Sequence, residues 1–340
     1  MTNNSRQVGE VGERKLIEMI MSILKPTSSN LLPHPDDAVA VRTGKRVVVL
    51  KTDTFVGSTD MPPRMTLSQA GWKSVIMNIS DLAAKGAKPK YFLMSLCIPR
   101  ASTVNDVLEI TKGIDAATSA YDIEVLGGDT NESRDIVITG TLVGEAEEDE
   151  LMSRRGTKPD DLLAVTGAFG YTGAGLAALI KGFEIPQKIR DPILRAVLKP
   201  MAPLAEGLAL AHSQAVSSCI DSSDGLLASL GELMNVNEVG FLIEDLPAGS
   251  EVIKFAEIFQ ENLEDLVLSA GEEYELVFTF PSSSLSRVKR AISSVGGTFQ
   301  IIGKVIGEKR IFLRRNGDTV EMQPRGYEHF KSLKHKRTLT

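Results

Sequence analysis

The sequence predicts an α/β (α+β) protein of two domains, and three observations carry that reading. The chain has 340 residues, enough to bury two cores of ordinary size. Its apolar pattern alternates between short strand-like runs and stretches of helical period. Near the middle an acidic segment without periodicity, Glu145 to Glu150, interrupts the alternation. We therefore expect an N-terminal domain over residues 1–147 and a C-terminal domain over residues 148–340.

Each element follows from local pattern. Val11 to Leu24 reads as an amphipathic helix with Leu16, Met19, Ile20 and Ile23 on one face, stopped by Pro26. Strands are expected at Ala38 to Val41 and Arg46 to Lys51, joined by a hairpin at Thr43-Gly44-Lys45. Leu67 to Lys85 is a long helical pattern with Gly86 as its C-cap. A strand at Tyr91 to Ile98 precedes a helix from Val104 to Tyr121, opened by Ser102 and Thr103. Strands at Ile123 to Leu126 and Asp135 to Val143 complete a sheet with helices on one face. In the second half, a strand at Asp161 to Thr166 leads through a glycine-rich turn into a helix from Gly173 to Lys181. Glu184 to Ala215 is read as helical but broken by Pro186, Pro192, Pro200 and Pro203. Ser217 to Ile220, Phe241 to Ile243 and Glu275 to Phe280 are strands, with a helix at Leu226 to Met234.

Composition excludes several classes. Hydrophobic residues make up 42% and charged residues 24%, the balance of a globular chain. The net charge of −6 argues against nucleic acid as a partner, and the basic tail Lys331 to Arg337 is read as solvated. Two cysteines, Cys97 and Cys219, and scattered histidines give neither a disulfide framework nor a zinc site. Buried thiols suit a reducing compartment. Met1 to Gln7 is polar, and no apolar run approaches the length of a membrane span. We expect a cytoplasmic protein with no membrane partner.

The chemistry is concentrated in a recurring arrangement, an apolar run leading into a loop that carries aspartate. It occurs at Pro35-Asp36-Asp37, Lys51-Thr52-Asp53-Thr54, Asn78-Ile79-Ser80-Asp81, Gly127-Gly128-Asp129-Thr130 and Asp221-Ser222-Ser223-Asp224-Gly225. One such aspartate is most often a turn or cap residue. If all five loops converge, their carboxylates repel and require cations. Oxygen ligands without His or Cys favour Mg2+, which shares its shell with substrate phosphates. Thr166 to Gly175 is a second feature: its glycines could admit a phosphate at a helix N-terminus, and close helix packing explains them as well. The third is Gly271-Glu272-Glu273-Tyr274-Glu275-Leu276, whose carboxylates suit a cationic ligand or a solvated turn.

Taken in order, these motifs resemble the thiamine-monophosphate kinases, within the superfamily that also holds aminoimidazole ribonucleotide synthetase and selenophosphate synthetase. The resemblance runs from about Gly9 to Phe330. It implies ATP and Mg2+ as cofactors, thiamine monophosphate as acceptor, and a homodimer whose N-terminal halves pair sheet to sheet with ATP in the groove. It places metal-binding positions at Asp37, Lys51 and Thr52 (by backbone or side-chain oxygen), Asp53, Asp81, Asp129, Asp221 and Asp224. Nucleotide positions fall at Gly128, Asp129, Arg154 and Ser223. Substrate positions fall at Glu272 and Tyr327, and at Asp60, where many members have a His-Phe pair and this chain has Asp60-Met61. Pro35 and Glu273 also depart from the family pattern, which has Gly and Asp there. No histidine lies in any of these motifs, so no general base is expected. Two rivals stay open: a relative phosphorylating another small substrate, and a nucleotide-binding protein without turnover.

Overall fold

Strand alternation and helix period in the first half produce a single layered unit. In the computed structural model, which describes residues 7–24, 28–32, 34–315 and 317–330, the chain opens with helices α1 (Val8–Val11) and α2 (Glu13–Ile23). The first sheet is built from β1 (Val39–Thr43), β2 (Arg46–Val56), β3 (Lys88–Ile98), β4 (Glu124–Glu132) and β5 (Val137–Ala146). A short α3 (Gly57–Asp60) follows β2, and α4 (Leu67–Lys85) and α5 (Val104–Ala120) complete the unit. The strand order is β1-β2-β5-β3-β4, antiparallel except for the β3–β4 pair. β4 is therefore an edge strand, and it is exposed along its whole length. Both long helices start on a capping box, at Thr66 with Gln69 and at Thr103 with Asp106.

The second unit comprises β6 (Leu162–Val165), α6 (Tyr171–Lys181), α7 (Gln187–Leu198), α8 (Leu204–Ser213), β7 (Ser218–Asp221), α9 (Leu226–Asn237), β8 (Gly240–Ile243), α10 (Ser250–Phe259), α11 (Leu263–Leu268), β9 (Leu276–Phe280), α12 (Leu285–Ser294), β10 (Gln300–Ile306), β11 (Ile311–Arg315) and β12 (Asp318–Met322). Its seven strands run β12-β11-β8-β10-β6-β9-β7, with β8 and β11 parallel and the other pairs antiparallel. The molecule is thus two α/β units, each with a mixed sheet and its own core. One core is centred on Val49, Phe55, Ile76, Ile79 and Phe92, the other on Phe169, Ile193, Leu230, Phe241 and Phe255.

Helix α4 joins the two. Its apolar residues face the first sheet and α5, yet polar residues on its other sides are also buried, among them Lys73, Ser80, Asp81 and Lys85. A helix covered on all sides must lie between layers, and here α8 and β7 of the second unit supply the far cover. Trp72 donates from Nε1 to the Pro200 carbonyl at 2.6 Å, and Tyr121 Oη donates to the Ala202 carbonyl at 3.1 Å.

Several sequence expectations need correcting. Thr52-Asp53-Thr54 lies inside β2, Asn78 to Asp81 inside α4, and Gly127 to Thr130 inside β4. Of the five expected loops only the Asp36-Asp37 and Asp221 to Gly225 segments sit at the ends of strands. Apolar periodicity located the elements but ended β2 and β4 too early, because the polar residues that continue those strands interrupt the apolar run; α4 spans the residues its period predicts, and its Asn78 to Asp81 motif lies within the helix. Pro192 does not break its helix and is carried inside α7. The apolar face of α2 is uncovered, with Ile20, Ile23 and Leu24 all exposed. Pro26, the residues before Gln7 and the Lys331 to Arg337 tail lie outside the described residues.

Candidate active site

The site is assembled where α4 meets the start of β1 and the end of β7. Asp37 precedes β1, Asp81 lies on α4 and Asp221 ends β7; each offers a carboxylate oxygen within 4.8 Å of the other two, and all three are buried. Asp81 is close to β2 as well. The Lys51 ammonium on that strand is 2.9 Å from Asp81 Oδ2 and 3.8 Å from Asp53 Oδ2. Ser80 donates from Oγ to Asp221 Oδ2 at 2.7 Å.

Asp37 carries the densest set of partners. Its Oδ1 accepts from Arg154 Nε at 2.8 Å and also from the second guanidinium nitrogen of that fork. Its Oδ2 is 2.9 Å from the Lys85 ammonium but accepts no aligned hydrogen bond. Asp36, its neighbour, also meets Lys85 and accepts from Ser153 Oγ at 3.0 Å and the Arg154 N–H at 3.1 Å.

These surroundings set the protonation states. Burial works against the Asp37 charge, but Arg154 and Lys85 outweigh it and hold the carboxyl below its ordinary pKa. Burial pushes Asp81 well above the carboxylate range; Lys51 opposes that shift, and the nearby Asp221 charge adds to it. Asp221 is raised to about 6, by burial first and then by the Asp37 charge. Lys51 and Lys85 are also disfavoured by burial, yet neighbouring aspartates hold both above the usual lysine value. Three carboxylates crowded into a dry space, two of them reluctant to ionise and one with an unaligned buried oxygen, form a donor set suited to a hard divalent cation.

Other expected positions fall nearby or elsewhere. Thr52 turns to the opposite face of β2, where its hydroxyl bonds the Gly140 carbonyl at 3.0 Å within the sheet. Asp224 and Ser223 are exposed on the loop before α9. That loop is tied by backbone bonds from the Glu272 N–H to the Ser223 carbonyl at 2.6 Å and from the Tyr327 N–H to the Asp224 carbonyl at 3.0 Å. The three substrate positions converge on it only in part. Glu272 is paired with Lys73, a buried lysine of α4, at 2.5 Å. The same ammonium donates to the Asp60 carbonyl at 2.9 Å, while the Asp60 carboxylate accepts the Val56 N–H at 2.7 Å. Asp60 and Glu272 are thus bridged by Lys73 rather than directed at each other. Gly128 and Asp129 lie apart from the buried cluster, on the exposed edge strand β4. Gly128 has a packing reason besides any other, since a Cβ there would come within 1.7 Å of the Met94 carbonyl.

Between the two readings of the glycine-rich segment, the structure favours packing. The N–H groups of Gly170 and Thr172, at the start of α6, already donate to Glu273 Oε1 at 2.6 and 3.1 Å. A Cβ at Gly173 would strike the Leu266 carbonyl at 2.7 Å. The helix terminus is occupied by a carboxyl group of the chain itself.

Sequence reasoning missed Lys73, Ser80 and Lys85. Lys85 stands just before the Gly86 cap, a place where lysine ordinarily serves the helix dipole from solvent. The available signal was its spacing of four from Asp81, which puts both on one side of α4.

Comparison with known proteins agrees with this geometry. The N-terminal domain of the AIR synthase related protein family matches residues 35–146, and the C-terminal domain of that family matches residues 158–316. The thiamine-monophosphate kinase of Nitrosopumilus maritimus is 35% identical over 84% of this chain and 90% of its own. That of Pyrococcus horikoshii is 35% identical over 87% and 90%. Among solved structures, AaThiL complexed with AMPPCP and TMP superposes with a TM-score of 0.82 at 28% identity, covering 96% of this chain and all of its own.

Proposed function

We infer that this chain, which belongs to the thiamine-monophosphate kinase family, transfers the γ-phosphoryl group of ATP to thiamine monophosphate, giving thiamine diphosphate and ADP. The observation that carries this reading is the buried, oxygen-only cluster of Asp37, Asp81 and Asp221 at the junction of the two units, in a chain that matches such kinases along most of its length.

Asp37, Asp81 and Asp221 would hold Mg2+, with Asp53 and Asp224 at its margins. The bound ion would supply charge neutralisation for the phosphates of two anionic reactants. The rest falls to the chain. Arg154, fixed by Asp37, offers a preset guanidinium beside the nucleotide phosphates. Lys51, 2.9 Å from Asp81, orients that carboxyl and partly offsets the cost of ionising it. Glu272, anchored by Lys73, presents a carboxylate to the cationic thiazolium, and the Tyr327 ring provides a face for it. The acceptor oxygen belongs to a phosphate already largely ionised near neutrality, with a second pKa of about 6. It therefore needs no base, consistent with a site built without histidine.

Three further readings go with this one. We place the domain boundary between residues 147 and 148. We assign the exposed strand β4, with Leu126 60% exposed, and the outer face of the first sheet to a homodimer contact. A long edge strand open to solvent, with Val125 and Leu126 exposed on it, is a liability unless another chain covers it, and pairing would bring Gly128 and Asp129 toward the partner's nucleotide. We also place the protein in the cytoplasm, consistent with two unpaired cysteines. Among the described residues no helix is long and apolar enough to cross a membrane.

The test mixes purified protein with ATP, Mg2+ and thiamine monophosphate and looks for thiamine diphosphate by mass, with EDTA as control. Product that disappears with EDTA is the expected result. ATP binding with no product would move the assignment to another acceptor.

A further inference from the structure

Lys85 is a wholly buried ammonium inside a site that needs cations. Its ammonium donates to Asp36 Oδ1 and to the Cys219 carbonyl at 3.1 Å, and it lies 2.9 Å from Asp37 Oδ2 as an ion pair. The side chains of Lys85, Asp36 and Asp37 are 0%, 1% and 0% exposed. The backbone closes over it as well, since the Lys85 carbonyl accepts the Met152 N–H at 3.2 Å. An ammonium in that position has no solvent to retreat to, and moving it would strand two buried carboxylates.

The charges around it can be counted. Five carboxylates face the interior of the site: Asp36, Asp37, Asp53, Asp81 and Asp221. Three cations of the chain answer them: Lys51, Lys85 and Arg154. Glu232, which approaches Arg154 from outside at 3.7 Å, is met by Arg14 at 2.9 Å. With every carboxylate ionised, the state that binds a cation, the interior carries an excess of two negative charges, and one divalent ion would neutralise it.

We propose that Lys85 is a built-in cation of this site, standing at the Asp36–Asp37 pair where a second metal ion would otherwise be required, so that the nucleotide-free chain takes one divalent ion among Asp37, Asp81 and Asp221. This rests on the metal reading given above and adds the stoichiometry. Lys85 acts through the carboxylates it balances and is a positioning residue. It also makes the Asp36–Asp37 corner independent of metal, so part of the site is preformed before cation or nucleotide arrives.

The test is a count of bound ions, independent of turnover. Mn2+ is titrated into the nucleotide-free full-length protein and followed by calorimetry and by the electron paramagnetic resonance signal of the free ion. One ion per chain is expected. Two or more per chain overturn the inference and leave the metal reading standing; none overturns both. Lys85→Arg, which keeps the charge, should still bind one ion. Lys85→Met should bind a second, and its melting temperature should fall in EDTA and recover in millimolar Mn2+. A folded Lys85→Met that binds one ion and melts in EDTA as the native chain does overturns the inference. Should Lys85→Met fail to fold, the counts on the native chain and on Lys85→Arg decide.

Discussion

Asp37, on the wall between the two units, and Glu273, behind the N-terminus of α6, are carboxylates withdrawn from water, yet they are answered differently. Asp37 meets a guanidinium and an ammonium and is held ionised. Glu273 meets backbone N–H groups, and burial raises it to about 8 in spite of them. The comparison teaches that two segments rich in acidic residues and glycine can have opposite purposes. One keeps its charge for use, whereas the other spends a carboxyl on closing a helix end. Full charges of opposite sign outweigh desolvation at Asp37, and helix-end dipoles do not outweigh it at Glu273.

The sharpest way to break this comparison is Asp37→Asn. It leaves Lys85 and Arg154 facing a neutral group in a dry site, and loss of one partner from a buried ion pair costs about 3–5 kcal/mol. Chemical denaturation should show a loss of that size, together with lost turnover. Unfolding midpoints equal to those of the native chain would mean that water reaches this corner.

Asp221→Asn separates function from stability. Among the described residues Asp221 has a hydroxyl partner and no direct ion pair, with its pKa raised to about 6. Turnover should fall roughly 100-fold, the scale on which groups supporting a metal site act, while the melting temperature stays near the native value or rises. Near-native turnover would remove Asp221 from the metal set.

Glu273→Gln examines the other side. The folded pKa of about 8 lies above the ordinary glutamate value, so the folded state retains a proton that the unfolded chain gives up. The resulting stabilisation is full below roughly pH 4.3 and is lost as pH rises through about 8. Glutamine can accept the same N–H bonds without ionising. The variant should therefore show a flatter melting profile between pH 5 and 8.5 and should be the more stable protein at the alkaline end. Parallel profiles for the two proteins would place the Glu273 charge in solvent.

The smallest effect is expected at Thr166→Val. Its hydroxyl donates to Glu275 and accepts the Leu276 N–H at 2.9 Å. Loss of both should cost about 1–2 kcal/mol with turnover unchanged. A larger loss of activity than of stability would return the glycine-rich segment to the site.

Much was legible before any coordinates. The two α/β units and both long helices follow from apolar period and capping residues, and the aspartate-bearing motifs, with Asp37, Asp81 and Asp221 among their residues, stand out as candidates. The sequence does not decide the glycine-rich segment, since phosphate cradles and close helix packing ask for the same small residues. Less legible was the regular structure around Asp53, Asp81 and Asp129, which sit within β2, α4 and β4 rather than in loops. In β2 and β4 the polar residues that continue the strand break the apolar pattern that marks it, whether the strand is covered or, like β4, exposed.

By itself the sequence determined which local structures form and which residue types could hold a hard cation, because caps, periods and oxygen donors are properties of short stretches of chain. Only the tertiary structure decided that Lys85 and Lys73 are interior cations, that Glu273 closes the end of α6, and that Asp129 stands apart on an exposed edge. Those outcomes depend on which element covers which, and the free energy of a charge depends on what surrounds it far more than on its neighbours in the chain.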